Sequence, residues 1–314
     1  MPLRQRITRR VLTSSPVKTI ISGSKRVPIP FGEFTLYEIS LPFFEQLKRA
    51  NLTERASAIS FNIFMAFPPV LIFVFTLIPY LPISEQFIQE MFTLIKDVIP
   101  GEENNSVIIT FLNDFLKRPR NELLSFGLVL AIFFSSNAMM GILRSFDEEY
   151  YGFIKRKGLQ TRLTALRLTL IVFALAGLTI LLLIAQGAVL EWLGVENYWI
   201  RFTIHNLRWV IIVLLIFYST AFIYRQGPAL AKKWPYLTPG SLLATTLTII
   251  ATLASSIWVE NFNNYNKLYG SISAIFILMT LIYVNALVLL LGFELNVTLF
   301  HLRQKKTLEE FAAK

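Results

Sequence analysis

At 54% hydrophobic residues, 16% charged residues and a mean hydropathy of +0.55, this 314-residue chain lies outside the range of soluble globular proteins. Its formal net charge is +10, but the charges cluster between long apolar stretches, an arrangement imposed by a bilayer, so no nucleic-acid partner is expected. The absence of cysteine excludes disulfides, thiolate metal sites and cysteine nucleophiles.

The chain opens with an arm, residues 1–34, whose first 32 residues contain no acid and carry Arg4, Arg6, Arg9, Arg10, Lys18, Lys25 and Arg26. It lacks an apolar core of signal-peptide length, so a cleaved secretory signal is not expected. A transit peptide shares this composition. The favoured reading is a flexible polybasic cytoplasmic arm that meets anionic lipid.

Thr35 to Ala56 reads as an amphipathic helix, with Phe43, Phe44 and Leu47 opposed to Glu45, Lys48 and Arg49, and with Pro42 placed in a first turn. Two placements fit equally: in the membrane interface, or against the end of the bundle. Six apolar stretches then satisfy the ~20 residues needed to cross ~30 Å of hydrocarbon. They fall near 57–79, 123–143, 166–190, 207–224, 240–259 and 271–297, and the sixth is long enough to tilt or project. Between the first two, Ser84 to Val98 and Asn105 to Leu116 carry apolar stripes around Pro100-Gly101, which predicts an external helical hairpin, either packing element or lid. The fold class expected is all-α: a single six-helix membrane domain over 35–300 with a tail at 301–314.

Cations orient the spans. Twenty-three Lys and Arg fall on the side of the termini and seven on the other, which puts both termini in the cytoplasm.

Chemistry-bearing groups are sparse. His205 and His301 fall on opposite sides of the membrane, no phosphate-cradling or hydrolase motif is present, and Asp147, Glu148 and Glu149 would fan out on a helix. They read as a solvated turn paired with Lys155, Arg156 and Lys157. No metal, cofactor or catalytic residue is assigned. Polar and helix-breaking groups within spans carry more weight, since lipid leaves them unsatisfied. Pro68-Pro69 should bend or break the first span, freeing the carbonyls of Phe64 and Met65 for packing relief or a substrate path. In the second span Ser135, Ser136 and Asn137 offer interhelical hydrogen bonds or path lining. In the sixth, Asn285, Leu289, Gly292 and Asn296 share one face. Glu294 points about 180° from Asn285. Either the sixth helix is protein-covered on both sides or Glu294 escapes to the inner interface, the cheaper outcome. It is the candidate coupling carboxylate.

Tyr269-Gly270-Ser271, followed by an apolar span ending Leu291-Gly292-Phe293-Glu294-Leu295-Asn296, resembles the closing signature of the YihY/BrkB family of bacterial inner-membrane proteins. The usual form is Y-G-S and then L-x-G-A-E-L-N, with Phe293 here in place of alanine. Pro68, Gly227-Pro228 and Thr238-Pro239-Gly240 also match, over roughly residues 40 to 300, while Leu281-Ile282-Tyr283 departs from the common tryptophan-leucine-tyrosine. The resemblance implies a six-helix inner-membrane protein of poorly defined activity, often labelled ribonuclease BN. The few, scattered candidate ligands argue against a nuclease. The expected function is transport or translocation of an amphipathic or lipid-like substrate, because the spans contain few charges for a hydrophilic solute; the alternative is a structural or assembly protein of the envelope. Membrane lipids, including anionic lipid at the basic face, and an unknown small or lipid-like substrate are the expected partners.

Overall fold

The computed structural model describes residues 34–80, 121–147, 150, 152–154, 156, 158–192, 198–261 and 271–312. Residues 1–33 of the arm, the external hairpin, Glu148, Glu149, Lys155 and Lys157 of the expected charged turn, and Tyr269 and Gly270 of the signature lie outside them.

Helix α1 (Leu36–Arg49) starts at Thr35, whose hydroxyl accepts the Glu38 N–H while the Glu38 carboxylate accepts the Thr35 N–H at 2.7 Å. This reciprocal cap satisfies two otherwise orphaned donors. The Thr35 N–H, then its hydroxyl, holds the Glu38 carboxyl below its ordinary value. The single helix expected over Thr35 to Ala56 is divided: Asn51 takes a left-handed backbone (φ 42°), a conformation asparagine tolerates, and α2 (Leu52–Leu77) begins after it. Pro42 therefore sits in the second turn, not the first. Ile39 is buried with Leu295 and Leu299, whereas Leu41 and Phe44 on the same helix are exposed.

Helix α2 runs unbroken through Pro68-Pro69 to a 3-10 turn at Ile78–Tyr80, so of the bend or break expected there the break does not occur. A proline removes only its own N–H bond, and in lipid every remaining backbone group is driven to stay helically paired. Helix α3 (Asn121–Phe146) packs along α2; a methyl added at Gly127 would lie 3.4 Å from the Phe73 backbone, so a small residue sets that approach.

The remaining helices are α4 (Gly158–Trp192), α5 (Tyr198–Gln226), α6 (Pro239–Asn261) and α7 (Ser271–Ala312). Six helices are long and apolar enough to cross a membrane. Large apolar side chains such as Val129, Leu178, Leu253, Ile257 and Phe276 point outward, as lipid-facing residues must. At about 1.5 Å per residue the 42 residues of α7 span about 63 Å, twice the hydrocarbon thickness. The tail expected from 301 is thus a continuation of this helix as far as Ala312.

The tightest core lies at one end of the bundle, hereafter the basic end, where α2, α4 and α6 begin and α3 and α5 finish. Phe293 is fully buried there, stacked on Phe146 with centroids 3.9 Å apart and planes at 8°. Tyr150, Phe153, Tyr224 and Trp234 surround the same ring. The aromatic that departs from the alanine of the family signature is therefore the hub of the core. The connectors interlock too: Ile154 N–H donates to Ala229 O at 2.7 Å, and the Arg156 guanidinium donates to the carbonyls of Gln226, Gly227 and Pro228. A cation at these carbonyls completes the negative end of the α5 dipole.

Candidate functional site: a buried ion pair at the basic end

Arg55 lies in the first turn of α2, on the face that also buries Ile59 and Ala66. A cation at a helix N-terminus opposes the helix dipole, so it needs compensation from elsewhere. Glu294 of α7 supplies it: Arg55 Nη1 is 2.7 Å from Glu294 Oε1, with the two side chains 7% and 0% exposed. Arg55 also donates to Ala50 O at 3.0 Å and to Ser145 O in the last turn of α3.

The carboxylate is satisfied at both oxygens. Tyr150 donates to Oε1 at 2.6 Å and Gln46 of α1 donates to Oε2 at 3.0 Å. Burial first, and then the adjacent carboxylate, pushes the Tyr150 phenol far above its ordinary value, which keeps it a protonated donor. One ion pair thus ties together α1, α2, the end of α3, the connector after it and α7. The escape of Glu294 to the interface, expected as the cheaper outcome, does not occur. The basic-end part of α7 is protein-covered on both sides, because Arg55 offers a countercharge that water need not replace.

The opposite face of α7 meets α6 backbone to backbone. A methyl added at Gly292 would fall 2.5 Å from Gly240 O and 2.5 Å from Tyr224 Oη, and one at Gly240 would fall 2.1 Å from Gly292 O. Only glycine fits either place. Asn296 Oδ1 accepts the Gly240 N–H at 3.0 Å and its Nδ2 donates to Thr238 Oγ1 at 3.0 Å. Thr238 in turn caps α6 reciprocally with Ser241, and Pro239 occupies the first helical position, where its missing N–H costs nothing.

The other sequence candidates are dispersed. Pro68 is exposed and Pro69 half-buried. The Asn285 amide donates to Leu281 O within its own helix at 2.9 Å, so it is satisfied locally. Ser136 is buried, its hydroxyl without a hydrogen-bond partner among the described residues, and Asn137 accepts from Arg162 of α4. Ser271 opens α7. α2 and α7 do meet, but at Arg55 and Glu294. Asp147 is half-buried; burial raises its carboxyl against the opposing charge of Arg156. Among the described residues no group of three or more His, Asp or Glu side chains could hold a metal.

Sequence reading missed Arg55, Tyr150 and Gln46. Arg55 was counted among the orienting cations, although its spacing of four and eleven from Ile59 and Ala66 puts it on the helix face that the bundle buries. Nothing local marks Tyr150, which lies 144 residues from its partner.

Among the described residues, an all-helical bundle with six helices long and apolar enough to cross a membrane, and with an ion pair buried between them, defines a polytopic membrane protein. The family described as Virulence factor BrkB matches residues 43–314, and the chain belongs to that family. It is 30% identical over 283 residues to the "Putative ribonuclease-like protein YfkH" of Bacillus subtilis, covering 88% of this chain and 94% of that one. It is also 31% identical over 86 residues to a "UPF0761 membrane protein" of Tolumonas auensis, 27% of this chain and 28% of that one. A UPF0761 membrane protein of Xanthomonas campestris is 35% identical over 79 residues, 25% of this chain and 19% of that one. No solved structure matches the chain.

Proposed function

We propose that the protein is a transporter or translocator of an amphipathic, lipid-like substrate in the cell inner membrane, with both termini on the cytoplasmic side. The observation that carries this reading is the Arg55–Glu294 pair, shut away from water at the end of a membrane bundle. Packing alone gives little reason for such a pair, because well-packed apolar residues of similar volume do as well or better. Charge buried inside a membrane bundle is the usual mark of a pathway or coupling site. Glu294 is the coupling carboxylate in this scheme, and the pair closes the cytoplasmic end until it is exchanged for another partner.

A structural or assembly role is the second reading. It is favoured by the α6–α7 interlock, in which Gly240, Gly292 and Asn296 all serve packing. The word ribonuclease in the name of the Bacillus subtilis relative belongs to that protein. In this chain the scattered acids and histidines supply no motif for RNA hydrolysis, and an enzymatic role is not part of the proposal.

The test is movement of fluorescent phospholipid across vesicles containing the purified protein. The wild type should exceed empty vesicles, and Arg55→Gln with Glu294→Gln, which keeps hydrogen bonding but removes both charges, should stay folded and fail to translocate. Wild-type rates in that double variant would remove the ion pair from the mechanism. No movement above empty vesicles for either anionic or zwitterionic lipid would leave the assembly reading.

A further inference from the structure

Arg162 is a second cation within the bundle, and it lacks the counterion that Arg55 has. Its Nη1 donates to Asn137 Oδ1 and lies 3.2 Å from Met140 Sδ, while its guanidinium carbon sits 5.1 Å from the Phe133 ring centroid. These three α3 residues are one and two turns apart on one face, so the guanidinium lies level with Asn137. All three are neutral, and no carboxylate among the described residues pairs with Arg162.

The depth of that group follows from helix length. The 26 residues of α3 span about 39 Å, about 9 Å more than the hydrocarbon core. Asn137 is nine residues from the end at Phe146, about 13 Å along the axis. On α4 the same group is four residues, about 6 Å, from the start at Gly158, so the guanidinium lies near the basic-end boundary of the hydrocarbon. Sequence counting had assigned Arg162 to a loop. One flank opens to lipid: Phe133 is 50% exposed, and Leu159 and Leu163, on one side of it on α4, are 73% and 59% exposed.

We infer that Arg162, positioned by Asn137, is a binding site at the membrane boundary for the anionic headgroup of a lipid that enters sideways along the α3–α4 face. The guanidinium is half-buried, and its Nε and Nη2 edge makes no hydrogen bond among the described residues, so donors remain for a phosphate, whose geometry a guanidinium fork matches. The exposed leucines and Phe133 supply the apolar flank that acyl chains require and a free phosphate does not. The use made of this site rests on the transport reading, giving its substrate a negative charge, whereas binding is measured separately from movement.

The experiment is native mass spectrometry of protein drawn from vesicles of phosphatidylglycerol and phosphatidylcholine with matched chains. One phosphatidylglycerol should be retained preferentially. Arg162→Gln should lower its retention about ten- to a hundredfold, the loss expected for charge-assisted hydrogen bonds, with Arg162→Lys intermediate and phosphatidylcholine unaffected. The control is Arg144→Gln, an exposed residue in the last turn of α3, which should change retention less than about twofold, as an exposed rim charge does. Equal retention in Arg162→Gln, an equal loss in Arg144→Gln, or displacement of the lipid by soluble glycerol phosphate would each overturn the assignment. If the wild type translocates lipid while Arg162→Gln binds normally, the site fails and the transport reading stands; specific binding without translocation gives the reverse.

Discussion

Changing Glu294 to glutamine removes one charge from a pair whose members are 7% and 0% exposed, leaving the Arg55 cation in place without a counterion. Solvent screening is negligible at that burial, and stranding one member of a buried pair costs about 3–5 kcal/mol. The glutamine oxygen still accepts from Arg55 and Tyr150, which places the expected loss near the lower figure. Adding Arg55→Gln removes the stranded charge, so the double variant should recover most of the loss, with a coupling energy of about 2 kcal/mol or more across the cycle. Reversible unfolding in mixed detergent and dodecyl sulfate, followed by the fluorescence of the five tryptophans, measures all four proteins. A single variant within about 1 kcal/mol of wild type, or a cycle additive within about 0.5 kcal/mol, would refute the claim that Glu294 is a buried, charge-paired carboxylate.

Three further outcomes are expected. Gly292→Ala puts a methyl 2.5 Å from the Gly240 carbonyl oxygen, and because backbone must shift it should cost at least the roughly 3 kcal/mol at the top of the overpacking range, read as loss of monodisperse protein on size exclusion. Tyr150→Phe keeps the ring against Phe293 but removes the 2.6 Å donor to Glu294; a loss of about 1.5–3 kcal/mol is expected in the same unfolding assay, and no change would show that the phenol does not serve the carboxylate. Reporter fusions after Lys314 and at Lys232-Lys233 should read cytoplasmic, and those near Asn104 and Asn264 external; an external reading at Lys314 would reverse the orientation drawn from the cation count.

The spans were legible because lipid imposes one strong rule, a run of about 20 apolar residues. Their partners were not. The polar positions of α7 stood out at once, yet periodicity gives only directions around a helix axis and says nothing of what waits there. Gly292 and Asn296 proved to face Gly240 and Thr238, and Glu294 to face Arg55. Of the bend or break read at Pro68-Pro69, the break does not occur, because in lipid the neighbouring backbone groups stay helically paired. Arg55 and Arg162 were both counted as orienting cations outside the spans, since a charge near the end of an apolar run looks the same in sequence whether it reaches water or turns inward.

The ion pair also sets the order of events in making the protein. Arg55 and Glu294 are 239 residues apart, and ribosomes add about 5–20 residues per second, so the first membrane helix carries its cation for roughly 12–48 s before a countercharge exists. During that interval the guanidinium has the carbonyls of Ala50 and, once α3 has emerged, Ser145 as partners but no countercharge, and any chain truncated before α7 keeps it so. Closure of the bundle is thus tied to synthesis of α7: the helix that emerges after α2 to α6 brings the carboxylate that pairs with Arg55, and copies lacking it retain an uncompensated positive charge as a mark for membrane quality control.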